Sequence, residues 1–419
     1  MNVKHLCFRT LLTSAGVGLA LVPVLWATSP LPSQATLQDS PKALVDQAWQ
    51  IVQRNYVERT FNHQDWQKVR SQYLASTYNS KEAAYQAIQT MLATLKDPYT
   101  RFLSPADLKD LTSNLSGDFV GVGLTVSLDP ATREWIVEKA FDESPAATAG
   151  IQPQDIIVSL NGKATAKIDP ANAAPYLIGP VGSKVELQVR RKQQSLAYTL
   201  VREHINLNPL TYRVIPSSLG SVGYIRLPIF TTKSATSMEQ ALKQLESQKV
   251  TGYVLDLRGN PGGVLDAGIA IARQWLSGGT IVSVQERDQP KVMIQATQQA
   301  LSSRPLAVLV DQDSASSSEI LAAALQENRR AVLVGAKTFG KGLVQSFEPL
   351  QDGSGVLVTI AQYFTPQGHN INHIGITPDV STDTNPPNST DFSQDRQYQA
   401  GLAALARTLG KAAPTTRPQ

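Results

Sequence analysis

The spacing of apolar residues divides the chain into stretches of different character. From Ser40, SPKALVDQAWQIVQRNYV places apolar side chains at helical spacing behind a Ser40–Pro41 start, as a capped helix requires. KEAAYQAIQTMLATLKDPYTRF repeats the pattern and stops at Asp97–Pro98. Residues 36–115 are therefore expected to be an N-terminal helical region without catalytic clustering. In residues 116–203 the period changes. GDFVGVGLTVSL, EWIVEKA, DIIVSLNGKAT and SKVELQVRR read as short strands around turns, with SPAATAG a short helix closed by Gly150. A compact, strand-rich module is expected there. In residues 204–380 apolar strands alternate with amphipathic helices: SVGYIRL, SATSMEQALKQLESQ, TGYVLDL, AGIAIARQWL, PLAVLV, SSSEILAAALQEN, RRAVLVG. That alternation predicts an α/β core with largely parallel strands, whose sites tend to lie at strand C-terminal ends. Residues 381–419 open as a polar loop, hold one weak helix, YQAGLAALARTLG, and are expected to be a tail. The fold class is thus α/β and multi-domain.

The first 35 residues change the picture of compartment. Lys4 and Arg9 precede an uncharged apolar stretch, Leu11 to Ala27, and Ser33 and Ala35 follow at small-residue positions. This is the layout of a secretory signal peptide cut after Ala35 or nearer Ala27. The alternative is an uncleaved anchor, the only membrane contact expected. The single cysteine, Cys7, lies in this segment, so a cleaved chain holds no disulfide, thiolate metal site or cysteine nucleophile. With 42% hydrophobic and 17% charged residues, a packed core is expected. The 36 basic and 34 acidic residues beyond the leader nearly balance, and there is no basic run. Nucleic acid is not an expected partner.

Three motifs can carry chemistry. Ser314 to Ile320, SASSSEI, follows a buried strand and opens a helix. Ser316 would sit where backbone N–H groups are free and the helix dipole is positive, although serines also serve as plain N-caps. Lys341 stands between Gly340 and Gly342 after the strand AVLVG. Burial would lower its pKa and fit it to act as a base. Asp256 to Gly263, DLRGNPGG, is a glycine-rich loop at a strand end, able to aim N–H groups at a developing charge or simply to turn the chain. Gly335–Lys341 has P-loop spacing, but Gly342 stands where a Ser or Thr is needed. His369 and His373 lie among turn residues, and neither H-E-x-x-H nor G-x-S-x-G occurs. No metal or cofactor is expected.

With these residues the chain resembles the carboxyl-terminal-processing, or tail-specific, peptidases. The family pattern S-A-S-[AS]-S-E-I is met by Ser314–Ile320, T-F-G-K-G-x-x-Q by Thr338–Gln345, and D-L-R-x-N-x-G-G by Asp256–Gly263. DPYTRF, GYIRL and YFTPQGHNINHIGITPDV are weaker matches. The resemblance implies Ser316 as nucleophile, Lys341 as general base and Gln345 as its orienting partner. The N–H groups of Ser317 and of Gly262 or Gly263 would form the oxyanion hole. Glu319 is a supporting member or merely complements the helix N-terminus. It further implies that residues 116–203 are a PDZ domain, with Gly121, Val122, Gly123 and Leu124 as its carboxylate-binding loop. Substrates would be exported proteins with a free, apolar C-terminal tail, in the periplasm or the thylakoid lumen, with an activating partner conceivable. Family members trim a photosystem II reaction-centre precursor or act on envelope proteins. Two rivals remain: a PDZ scaffold without turnover, and an exported hydrolase of small esters.

Overall fold

The computed structural model describes residues 40–410 apart from 130–131, 142–143, 169–173, 207–208, 298 and 383–391. The expected signal peptide lies outside the described residues. Among these residues no helix is long and apolar enough to cross a membrane.

Helices Pro41–Asn55, Trp66–Ala75 and Lys81–Ala93 form where helical spacing predicts them. Asp65 and Ser80 cap the second and third by accepting the Lys68 and Ala83 N–H groups. Their apolar stripes, including Trp49, Val52, Ile88 and Met91, bury against one another and against Val356 and Val358. Strand Arg101–Leu103 then pairs antiparallel with strand Gly355–Phe364, Phe102 opposite Val356. The helical region is therefore built onto strand Gly355–Phe364 of the third part of the chain.

The next module is an antiparallel sheet in the order Leu124–Leu128, Trp135–Ala140, Ile156–Leu160, Lys184–Arg191, Gln194–Val201. Val185, Leu187 and Val189 alternate into its core beside Val137 and Ile157, the period of a half-buried strand. Asn161 and Gly162, both at positive φ, join strands Ile156–Leu160 and Lys163–Ala164, as a two-residue hairpin loop requires. Helix Pro145–Thr148 is capped by Ser144. Strand Leu124–Leu128 is an edge, paired on one side only.

The third part contains two sheets. One runs Thr211–Ser217, Gly220–Arg226, Gly252–Asp256, Leu306–Val310, Val332–Gly335, Val380–Ser381, parallel after its first pairing. Its central strands are buried on both faces, as parallel strands are. Leu255, Val308 and Val310 face helices Ser234–Ser247, Leu265–Trp275 and Ser317–Glu327. Val254, Ala307 and Leu309 face helix Arg396–Thr408. The second sheet is antiparallel and has no counterpart in the expected parallel core. Strand Gly355–Phe364 pairs with Leu343–Pro349, with Arg101–Leu103 and with Thr280–Glu286, which pairs in turn with Val292–Gln295.

The expected tail is not a tail. Helix Arg396–Thr408 packs on the face of the parallel sheet formed by Val254, Ala307, Leu309 and Val334. It is anchored by a buried ion pair: Arg258, 1% exposed, donates to Asp256 (2.6 and 2.9 Å), Asp395 (2.8 and 3.0 Å) and Gln397 (2.9 Å). Asp395 is one of the two carboxylates that compensate the buried Arg258, and a buried charge left short of compensation is costly. Asp395→Ala is expected to lower the unfolding free energy by about 3–5 kcal/mol, read from urea unfolding. A loss below about 1 kcal/mol would mean that the helix is held by its apolar face alone.

Candidate active site

Ser316 lies beyond the C-terminal end of strand Leu306–Val310, at the N-cap of helix Ser317–Glu327. Its backbone is at φ 55° and ψ −115°, a conformation that costs a non-glycine residue on the order of 1–3 kcal/mol. The surroundings hold it there. Ser314 Oγ donates to the Leu257 carbonyl at 2.8 Å, and the Asn260 carbonyl accepts from Ala315 N–H and Ser318 Oγ, each at 2.9 Å. Asp311 accepts the Gly259 N–H at 2.9 and 3.0 Å. The serine loop and the glycine loop are thus one knitted unit. A Cβ on Gly262 would lie 2.7 Å from Ser316 Cβ, and one on Gly263 would lie 2.1 Å from the Phe230 carbonyl oxygen. Both positions demand glycine.

The two glycines differ as donors. Gly262 N–H is committed to Asn260 Oδ1 at 2.8 Å, which removes it from the expected oxyanion set. Gly263 N–H and Ser317 N–H bond no described residue, and Ser317 Oγ donates to the Gly263 carbonyl at 3.1 Å.

The lysine loop joins the two sheets, running from strand Val332–Gly335 to strand Leu343–Pro349. The flanking glycines admit backbone: a Cβ on Gly340 would lie 2.9 Å from Ile374 N, and one on Gly342 2.8 Å from Asn372 N. Glu319, with no exposed surface, accepts Thr338 Oγ1 at 2.6 Å, Gly340 N–H at 2.7 Å, Lys341 N–H at 2.8 Å and Ser316 N–H at 2.9 Å. The Tyr363 hydroxyl faces the carbonyls of both Ser316 and Lys341. The backbones of serine and lysine are therefore fastened to the same two side chains.

Lys341 Nζ makes no hydrogen bond among the described residues and lies 4.5 Å from the centre of the Tyr99 ring. Burial, and then the Arg101 charge, lower its pKa from the ordinary lysine value, against opposing pulls from Asp97 and Glu319. Gln345 makes no hydrogen bond to Lys341 among the described residues. It stands opposite Thr359 across the strand pair, with Nε2 3.4 Å from Thr359 Oγ1. Thr359 Oγ1 and Thr100 Oγ1 both donate to Asp97 Oδ2 at 2.7 Å. Asp97, Tyr99 and Arg101 thus reach the site from a segment in which no catalytic grouping was expected. Thr338 and Tyr363 were likewise not singled out. The one signal for Asp97, Tyr99, Arg101 and Tyr363 was the weaker family matches that contain them, and Thr338 opens the family pattern that holds Lys341.

In the strand-rich module, Gly121 bridges Ile178, and Val122 is buried, its N–H on the Leu177 carbonyl at 3.2 Å. Gly123 has φ 76°, and a Cβ there would lie 2.2 Å from Ser144 Cβ. Its N–H bonds no described residue. Leu124 begins the open edge strand.

The comparisons with known proteins follow the same division of the chain. A model of peptidase family S41 matches residues 221–382, and a PDZ model matches residues 136–191. A carboxyl-terminal-processing protease of Synechocystis sp. is 42% identical over 379 residues, 89% of this chain and 88% of that protein. Carboxyl-terminal-processing peptidase 3, chloroplastic, of Arabidopsis thaliana is 37% identical, over 87% of this chain and 73% of the relative. A solved structure named photosystem II D1 C-terminal processing protease aligns with a TM-score of 0.57 at 35% identity, covering 90% of this chain and 99% of that one. The similarity thus spans the helical region, the PDZ module and the two-sheet core, and the chain belongs to the carboxyl-terminal-processing peptidases of family S41.

Proposed function

We propose that the chain is a serine endopeptidase that cuts exported proteins near their C-terminus with a Ser316–Lys341 dyad. The observation that carries this reading is the Glu319 carboxylate, which bonds the N–H groups of Ser316 and Lys341 at once. In the proposed reaction, neutral Lys341 takes the Ser316 Oγ proton as Oγ attacks a peptide carbonyl. The Ser317 and Gly263 N–H groups receive the oxyanion, each such donor worth about 3–4 kcal/mol. Lys341 returns the proton to the leaving amine. Water then adds to the acyl-enzyme, giving its proton to the same lysine, which passes it to Ser316 Oγ as the acyl–Oγ bond breaks. Gln345 acts on the lysine through its amide oxygen once the side chain turns from Thr359.

The substrate tail is proposed to add to the open edge of strand Leu124–Leu128, its carboxylate on N–H groups of Gly121–Leu124. Val122 N–H is already used, so Gly123 is the main donor. The leader layout and the named cyanobacterial and chloroplastic relatives favour an exported enzyme of the periplasm or thylakoid lumen. The named solved relative makes a photosystem II reaction-centre precursor the first substrate to try.

The experiment is intact-mass analysis of a protein with an apolar C-terminal tail after incubation with the enzyme. Cleavage is expected with the parent chain, and neither Ser316→Ala nor Lys341→Ala should cleave. A C-terminally amidated tail should be cut poorly. Cleavage by Lys341→Ala would overturn the dyad, and tail binding without any turnover would favour a scaffold. The pH dependence follows from the lysine. Its amine is charged below its pKa and neutral above, so kcat/KM is expected to rise with pH, with a midpoint below that of a free lysine. A flat profile from mildly acidic to alkaline pH would count against a lysine base. Glu319→Gln replaces an acceptor oxygen by a donor facing N–H groups. It is expected to lower kcat about a hundredfold through misplacement of the two loops, with a small effect on KM. Unchanged kcat would show that Glu319 is only a helix-terminal charge.

A further inference from the structure

The segment that follows helix Lys81–Ala93 reaches into the catalytic centre, outside the residues matched as peptidase family S41. It is held there rigidly. Asp97 accepts the Tyr99 N–H at 2.9 Å and the Thr100 and Thr359 hydroxyls at 2.7 Å each. Thr100 Oγ1 accepts the Thr359 N–H at 3.1 Å, and Arg101 pairs opposite Leu357. These contacts fix the half-buried Tyr99 ring with Lys341 Nζ 4.5 Å from its centre.

We propose that Tyr99 is a positioning residue of this centre, its ring face holding the Lys341 amine in place and favouring its charged form until the proton is lost to solvent. The proposal rests on the reading of Lys341 as the base. Besides the Tyr99 ring, three charged groups act on the amine: Asp97 and Arg101 from the same segment as Tyr99, and Glu319 from the helix that Ser316 caps. The Tyr363 phenol, from strand Gly355–Phe364, donates to the Lys341 carbonyl. Burial raises the pKa of both phenols above the ordinary value, so Tyr99 offers a neutral ring and not a phenolate. A ring face attracts an ammonium and has no such attraction for a neutral amine. It therefore favours the charged form, alongside Asp97 and Glu319, against burial and Arg101. Without the ring, the amine is expected to lose its proton at lower pH.

The test titrates Lys341 directly by NMR in full-length Ser316→Ala protein carrying isotope-labelled lysine. The resonance is assigned by its loss in Lys341→Met. Tyr99→Leu is expected to lower the amine midpoint by about 0.5–1.5 pH units, the range of a partly desolvated cation–π contact. Tyr99→Phe keeps the ring and is expected to leave the midpoint in place. Tyr99→Met, an unbranched replacement, carries the same expectation as Tyr99→Leu should that variant fold poorly. With Ser316 restored, the rising limb of kcat/KM should move with the amine. An unmoved midpoint in the ring-less variants overturns the proposal. So does a shift in Tyr99→Phe as large as that in Tyr99→Leu, which would assign the effect to the hydroxyl. A midpoint that moves while the rate limb stays upholds the contact and sinks the reading of Lys341 as the base.

Discussion

Glu319 carries its carboxylate into the interior, where it accepts hydrogen bonds from the Ser316 N–H, the Thr338 hydroxyl, the Gly340 N–H and the Lys341 N–H. A buried carboxylate without donors would cost several kcal/mol, by about the effective penalty for a desolvated ion. Here its two oxygens are fully used, and three of the donors are backbone groups that would otherwise be orphans at a helix end and in a turn. The result is mechanical as well as electrostatic. Glu319 lies one turn into the helix that Ser316 caps, so helix phase, serine backbone and lysine loop are fixed by one side chain. The unfavourable φ of Ser316 is held by that bond from one side and by Gly262 from the other.

The rest of the architecture brings these loops together. Ser316 hangs from the parallel sheet, and Lys341 sits where the chain passes to the antiparallel sheet. The relative position of the two sheets therefore sets the approach of the lysine loop to the serine loop. Strand Gly355–Phe364 is the common partner, carrying Thr359, Tyr363 and the pairing for the 101–103 strand. The N-terminal helices bury against the same strand. On the opposite face of the parallel sheet, Arg258 joins the end of strand Gly252–Asp256 to Asp395. That bond ties the loop holding Gly262 and Gly263 to a helix more than a hundred residues away.

Some of this was legible in the residues, for physical reasons. GYVLD and LAVLV are unbroken apolar runs because parallel central strands are buried on both faces. The first helices declare themselves through caps and spacing. Helix Arg396–Thr408 looked weak because a short amphipathic stripe does not say what will cover it. The antiparallel sheet was missed because its two hairpins, Thr280–Glu286 with Val292–Gln295 and Leu343–Pro349 with Gly355–Phe364, meet each other and strand Arg101–Leu103 through partners far apart in sequence. Gly262 and Gly263 were equivalent in sequence, and only the Asn260 side chain separated them.

By itself the sequence determined the fold class, the division into helical region, PDZ module and α/β core, and the short motifs holding Ser316, Lys341 and the paired glycines. These are local properties, written in period, turn chemistry and contiguous residues. The tertiary structure alone decided which N–H groups are left open, that Glu319 bonds both loops, that Gln345 faces Thr359, and that Tyr99 lies against the lysine amine. Those facts depend on where side chains turn and on pairings between separate segments, and no local pattern encodes the register of such a pairing.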